Sequence, residues 1–242
     1  MPKSTFSLLR ALNHAPDAAR HYRGDSHVFP SRIVAEYFTS EKLTDRFIRA
    51  LVERHILQWK EILEAFEFFD QTRKYLGRRS IVDACCGHGL IGTLYAMLVE
   101  EVEDVTLADA EIPKSQSRML EVANDLAPWT LEKITVQKRP IETLGEGSEK
   151  GAAVVSSHGC GALTDQAIDL GLSTGGPIAV MPCCCHPRHP DAPDVIFREL
   201  GIKDGVDVDR TYRMNAAGYR VLWRYIPEDI APMNRILIGA VS

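Results

Sequence analysis

The chain has 242 residues, 45% of them hydrophobic, and 28 Lys and Arg against 33 Asp and Glu leave a formal net charge of −5. That length suits one generous domain, and the apolar share excludes disorder over most of it. The acidic balance argues against an obligate binder of long nucleic acid; no apolar run reaches the roughly 18 residues of a membrane span, and the charged start does not resemble a signal peptide, so a cytoplasmic protein is expected.

Residues 1 to about 77 read as helical, with no alternating strand. Arg20, His21, Tyr22, Arg23 and His27 form a basic, aromatic patch, read as solvated surface or as a contact for RNA or another anionic acceptor. A run from about Ser31 to Phe38 precedes Ser40, a candidate N-cap with Glu41 behind it. Apolar residues then recur at three- and four-residue steps from Phe47 through Trp59, Ile62 and Leu63 to Phe69, the spacing of one or two amphipathic helices that Gly77 stops.

From Ser80 the pattern changes. Strands are expected at Ser80–Ala84, Val105–Asp109, Ile134–Gln137, Ala152–Ser156 and Pro177–Met181, with helices near Leu90–Glu101, Lys114–Leu126 and Leu163–Leu172 between them. Such alternation specifies a parallel sheet covered on both faces. Gly218–Tyr225 and Arg235–Val241 are two strands joined by a loop too short for a helix, so this pair should be antiparallel. The expected fold is α/β: a doubly wound, mostly parallel, Rossmann-like seven-stranded sheet with an antiparallel terminal strand. Residues 78–242 form that domain, and residues 1–77 form a helical lid or acceptor-recognition region.

The sharpest motif is SIVDACCGHGLIG. A buried strand ends in Asp83, a turn follows, and Gly87, Gly89 and Gly92 give G-x-G-x-x-G, which alone is a weak signal. Such glycines let backbone approach a ligand and a helix pack closely on a strand. Asp109, ending the next strand, is placed to accept hydrogen bonds from ribose hydroxyls. In nicotinamide enzymes the first glycine follows the strand directly and the loop faces a pyrophosphate. Here an acid precedes the glycines, a natural partner for the ammonium group of S-adenosylmethionine. The usual loop of S-adenosylmethionine enzymes is acid-x-Gly-x-Gly-x-Gly, and in this chain Cys85 stands at the first glycine.

All six cysteines fall on loops expected at the carboxyl edge of the sheet, where an open α/β fold holds its ligand: Cys85, Cys86, Cys160, Cys183, Cys184 and Cys185. His158 and His186 join them, with Ser157 beside the cofactor. Three readings stand together: small apolar packing, soft metal ligands, and handling of the methyl acceptor by a thiolate or by His158. No CxxC pair gives the usual zinc spacing, and no metal is expected. Trp59, Trp129 and Trp223 read as packing.

His158, Cys160, Gly161, Thr164 and Asp165 form His-x-Cys-Gly-x-x-Thr-Asp, and Pro182, Cys183 and Cys184 follow after the next strand. This combination resembles a branch of the class I S-adenosylmethionine-dependent methyltransferases. That branch includes the acceptor-stem tRNA 2′-O-methyltransferases and the methyltransferase-like domain of glutathione S-transferase C-terminal domain-containing protein. The resemblance covers roughly residues 80–187; the small zinc-finger segment of the tRNA enzymes is not found. It implies methyl transfer from S-adenosylmethionine to RNA or a small molecule. Cofactor-binding residues would be Asp83, Cys85, Gly87, Gly89, Asp109 and Ser157, and acceptor-facing catalytic residues His158, Cys160, Cys183, Cys184 and His186. The alternatives are a thiol or metalloid S-methyltransferase and a non-catalytic cofactor- or partner-binding module.

Overall fold

Strand residues alternate between two apolar cores, which is what a sheet buried on both faces requires. Ile81, Val105, Leu107, Val155 and Ile238 point into one core, and Val82, Ala108, Val154, Val180 and Leu237 into the other. The computed structural model describes residues 5–15, 30–145, 148–183 and 192–241. Its strands are β1 (Ser80–Ala84), β2 (Asp104–Asp109), β3 (Ile134–Lys138), β4 (Ala153–Ser157), β5 (Ile178–Met181), β6 (Arg220–Tyr225) and β7 (Arg235–Ala240). They form one seven-stranded sheet in the order β3-β2-β1-β4-β5-β7-β6. β1 to β5 run parallel, and β7 lies antiparallel to both β5 and β6. The strand order reverses between β1 and β4, and the crevice outside their carboxyl ends is where such sheets bind ligands.

Helices α1 (Ser31–Tyr37), α2 (Leu43–Glu53), α3 (Trp59–Thr72), α4 (Leu90–Leu98) and α5 (Lys114–Leu126) contribute to the first core; α6 (Trp129–Glu132) is a single turn before β3. The second core takes α7 (Ala162–Thr174) and the end of α8 (Asp194–Ala216). Among the described residues no helix is long and apolar enough to cross a membrane.

The N-terminal helices do not stand apart from the sheet. α3 begins with a capping box in which Gln58 and Glu61 each receive a backbone N–H of the other. It packs on α4 through Phe69 and Tyr95, whose rings meet edge-on at 5.0 Å, and Thr72 Oγ1 lies 2.7 Å from the Tyr95 hydroxyl. Deeper in, the Glu67 carboxylate accepts hydrogen bonds from the backbone N–H groups of Ser7, Leu8 and Leu9 at 2.7–3.0 Å and from the Ser7 hydroxyl at 2.8 Å. One buried acid thereby fastens residues 5–15 to α3.

Two local expectations change. Ser40 is not the cap of α2, because Lys42 holds that position; the Ser40 hydroxyl donates instead to Asp45 in the first turn at 2.7 Å. α8 was not anticipated at all, and its inner face shows why. The side chains it buries include Asp207 and Arg210 rather than a regular apolar stripe, and its helix breaks at Gly201 (φ 77°). Arg210 pairs with Asp165 of α7 at 2.9 and 3.0 Å and with Asp207 at 3.4 Å. Arg235 of β7 reaches Asp207 at 2.8 Å and Asp204 at 2.7 Å while stacking 4.2 Å from the Trp223 ring. Apolar periodicity is silent about a helix docked by charge.

This network gives a stability test. Removing one member of a buried ion network strands the others without compensation, at about 3–5 kcal/mol. Arg210 is 1% exposed. Arg210→Ala should therefore lower the unfolding free energy by roughly that amount in urea titrations. A midpoint within experimental error of the parent would show that α8 is held by something else.

Candidate active site

After β1 the chain turns sharply through residues 85–89 into α4. Cys86 N–H donates to Ala108 O of β2 at 3.1 Å, and Gly89 N–H donates back to Cys86 O at 2.7 Å. The turn uses the left-handed region three times: Cys85 (φ 57°), Gly87 (φ 52°) and Gly89 (φ 73°). The position where cysteine replaces glycine thus carries the backbone conformation that favours glycine, at a cost of order 1 kcal/mol for a residue with a Cβ.

The glycines have different tasks. Gly87 borders the cavity described below, and a Cβ there would meet nothing within 4 Å. At Gly92 a Cβ would lie 2.4 Å from a Leu107 methyl and 3.1 Å from the Asp83 Cβ. Gly89 is equally a packing glycine, with a Leu107 methyl 2.8 Å from its missing Cβ, and it lies outside the cavity lining.

The two acids of the motif are held in place. Asp83 is 2% exposed and accepts one hydrogen bond, from Gly92 N–H at 2.8 Å. Its other oxygen has no hydrogen-bond partner among the described residues. Asp109 accepts from Gly87 N–H at 2.8 Å and from Glu111 N–H at 3.1 Å, which aims it across the turn. Gln116 of α5 closes the far side by donating to Gly87 O at 3.0 Å.

At the end of β4, Ser157 and the following His158 line the same cavity as the turn. His158 also lies in the left-handed region (φ 64°), its N–H donating to Met181 O of β5 at 2.9 Å. Its Nε2 lies 2.9 Å from an oxygen of Glu64, a 4%-exposed residue of α3 whose other oxygen pairs with Lys60 at 3.1 Å. Cys160 is exposed, and its Sγ lies 3.0 Å from that of Cys183, while Cys183 Sγ lies 3.6 Å from His158 O. The rest of the His-x-Cys-Gly-x-x-Thr-Asp motif is scaffold: Thr164 donates to Gly159 O at 2.5 Å, and Asp165 is the partner of Arg210. Cys184, Cys185, His186 and the basic patch at residues 20–27 lie outside the described residues.

These elements enclose a cavity of about 650 Å³, within the roughly 300–1,000 Å³ common for small-molecule sites. Asp83, Cys85, Gly87, Asp109, Ser157, His158 and Cys160 all line it. Sequence reasoning missed one wall, made by Lys60, Glu61 and Glu64 of α3, together with His88 and Glu142. The available signal was Glu64 itself, a carboxylate among Ile62, Leu63 and Phe66 where an amphipathic helix should be apolar.

Electrostatics follow from that lining. Five carboxylates (Glu61, Glu64, Asp83, Asp109 and Glu142) surround the space, with Lys60 as its one formal cation among the described residues. Burial pushes the Asp83 carboxyl up to about 7, helped by the charge of Asp109 and opposed by the Gly92 N–H. Burial first, then Asp109 and Asp83, push the Cys85 thiol up to about 12, and burial drives Cys86 upward too. Both are therefore neutral thiols at physiological pH rather than nucleophiles. Burial lowers His88, aided by His158 and opposed by Glu61 and Glu64, so it is a neutral imidazole that accepts from Leu90 N–H at 3.2 Å.

Residues 58–188 match the model of a family described as a methyltransferase domain. The chain belongs to that family. The matched span contains the cavity-lining residues of α3, the glycine turn and the β4 loop alike. A protein of solved structure from Corynebacterium glutamicum is 12% identical, with 87% of this chain and 94% of that one covered at a TM-score of 0.51, which bears on fold alone. Others include an S-adenosylmethionine-dependent methyltransferase from Aquifex aeolicus, 14% identical over 74% of this chain and 90% of that one at 0.46. An O-methyltransferase from Thermotoga maritima is 14% identical over 71% and 63% at 0.41. No curated protein matches.

The buried acid of this methyltransferase gives a pH-dependent prediction. Asp83 ordinarily titrates at 3.8 and is raised to about 7 in the fold. Its stabilising contribution is therefore full below 3.8 and lost as pH rises through about 7. Without ligand, Asp83→Asn should remove that decline and melt roughly 4 °C or more above the parent at pH 8, with the gap narrowing steadily as the pH is lowered toward 4. Parallel melting curves for the two proteins across this range would refute the assignment.

Proposed function

We propose that this methyltransferase takes its methyl group from S-adenosylmethionine and transfers it to a small uncharged or cationic acceptor, in the cytoplasm. The carrying observation is the carboxylate-lined cavity at the topological switch point of the sheet. A pyrophosphate would be repelled by five acids, which among the described residues only Lys60 offsets, itself paired with Glu64. A cofactor with an ammonium group and a sulfonium suits the same surface, and the unpartnered oxygen of Asp83 suits the ammonium. When bound, that cofactor supplies an electrophilic methyl group.

The protein's part is placement. Asp83 holds the ammonium, Asp109 accepts from ribose hydroxyls, and the backbone at Cys85 and Gly87 lies along the cofactor, with Gly89 supporting the turn from behind. Ser157 completes the cofactor side. His158, Cys160, Cys183, Cys184 and His186 would face the acceptor, and residues 1–77 act as a lid or acceptor-recognition region, with α3 supplying one wall. A soft acceptor, thiol or metalloid, is the second reading; the close pair of sulfurs at Cys160 and Cys183 favours it. RNA is disfavoured because its phosphates would face the acid wall.

Calorimetry should show S-adenosylhomocysteine binding with no comparable response to NAD, and Asp109→Ala should weaken it by about 1–3 kcal/mol. Because the ligand's ammonium stays charged while Asp83 ionises, affinity should rise as pH increases from 6 to 8, and Asp83→Asn should flatten that rise. Tight NAD binding with silence toward the adenosyl ligand would defeat the proposal. Tritiated methyl groups should then pass into a low-molecular-weight cell extract, with rates that fall far less between 50 and 200 mM salt than release of phosphate counterions would require. Labelling confined to total RNA, with a steep loss over the same salt range, would reverse the choice of acceptor.

A further inference from the structure

We infer that Glu64 is a positioning residue that sets the tautomer and orientation of His158, making His158 Nδ1 the base that receives the acceptor's proton. The inference rests on the methyl-transfer reading above and adds to it a residue from the N-terminal helices.

The geometry has three parts. Glu64 is 4% exposed, yet it presents its carboxylate to the cavity from the apolar side of α3. One oxygen lies 2.9 Å from His158 Nε2 and the other 3.1 Å from Lys60 Nζ. A carboxylate only accepts hydrogen bonds, so Nε2 carries the proton, and in the neutral imidazole Nδ1 presents its lone pair. Nδ1 has no hydrogen-bond partner among the described residues, and the ring lines the cavity. Finally, the backbone of His158 is left-handed, a conformation that costs free energy and persists where the surroundings impose it. Simple fastening of α3 to the sheet would not need a half-exposed imidazole on a strained backbone.

In the transfer step, His158 Nδ1 takes the proton of the acceptor X–H while the acceptor's electron pair bonds to the methyl carbon. The carbon–sulfur pair remains on the departing sulfur. The imidazolium so formed faces the Glu64 carboxylate, which stabilises it as the proton arrives. Among the described residues, the charged and titratable groups that share the cavity wall with the ring include Lys60, Glu61 and Glu64 on α3, His88 on the glycine turn, and Cys160, whose sulfur lies 3.0 Å from that of Cys183.

Histidine-selective ¹⁵N NMR, with and without S-adenosylhomocysteine, tests this independently of turnover. His158 should carry its proton on Nε2 at high pH. Glu64→Gln should move its titration to lower pH, and Lys60→Met, at a residue of α3 that is partly exposed, should move it to higher pH. With tritiated S-adenosylmethionine and the low-molecular-weight extract, His158→Ala should lower turnover about 100-fold and Glu64→Gln at least about 10-fold. Glu64→Asp should recover part of that loss, and the acid limb of the pH–rate profile should shift with the NMR titration. Cofactor affinity should change less than threefold in each variant. A proton on Nδ1, or titration and rate profile unmoved by both α3 substitutions, would overturn the assignment while leaving the methyl-transfer reading intact. No binding of the adenosyl ligand by the parent protein would overturn both.

Discussion

The buried carboxylate of Asp83 is the constraint from which the site's geometry follows. β1 pairs with β2 so that Asp83 lies beside Leu107, and that register brings Leu107 against the backbone of α4. No side chain fits at Gly92 or Gly89 beneath it, so the helix can approach closely enough for Gly92 N–H to reach the carboxylate at 2.8 Å. Acid, register and glycines are thus one device. With a single backbone donor to offset its desolvation, the acid titrates near 7, far above the ordinary carboxylate range. The fold carries a charge it would be more stable without, and a cationic ligand relieves that cost.

The α3 wall extends the same logic. A parallel sheet opens its crevice only at the carboxyl edge, and loops from β1, β2 and β4 surround it from the sheet side. The remaining side is closed by α3, which belongs to the same apolar core as α4 and cannot be displaced without exposing Phe66, Phe69 and Tyr95. Glu64 and Glu67 both interrupt that buried helix, with different consequences. Glu67 is satisfied by the backbone of residues 7–9, whereas Glu64 points at His158 and the cavity.

How much of this was legible depends on which force shaped each part. β1 and α5 fall on the bounds expected from sequence, because apolar runs and turn residues report burial directly. The glycine turn, its two acids and the convergence of Cys85, Ser157, His158 and Cys160 were likewise legible, since strand order places those loops together. α8 was not, because its docking face is ionic. The wall of α3 was not, because helical periodicity identifies the buried side of a helix without saying what that side faces. His88 was passed over as a spacer inside G-x-G-x-x-G, although its ring lies against the same cavity.

The signature after β4 shows that a motif can join two unrelated requirements. His158 and Cys160 face the cavity, whereas four and five residues past Cys160 Thr164 closes the loop onto Gly159 O and Asp165 turns away to pair with Arg210. Through Asp207 and Arg235 the connection continues to the antiparallel end of the sheet. The loop that presents His158 is therefore anchored at both ends, by Met181 O at its start and by the α7–α8 ion network past its finish. A backbone held only at its first residue would relax out of the left-handed conformation at His158. Anchoring on both sides is what lets the strain persist and keeps the imidazole directed at Glu64.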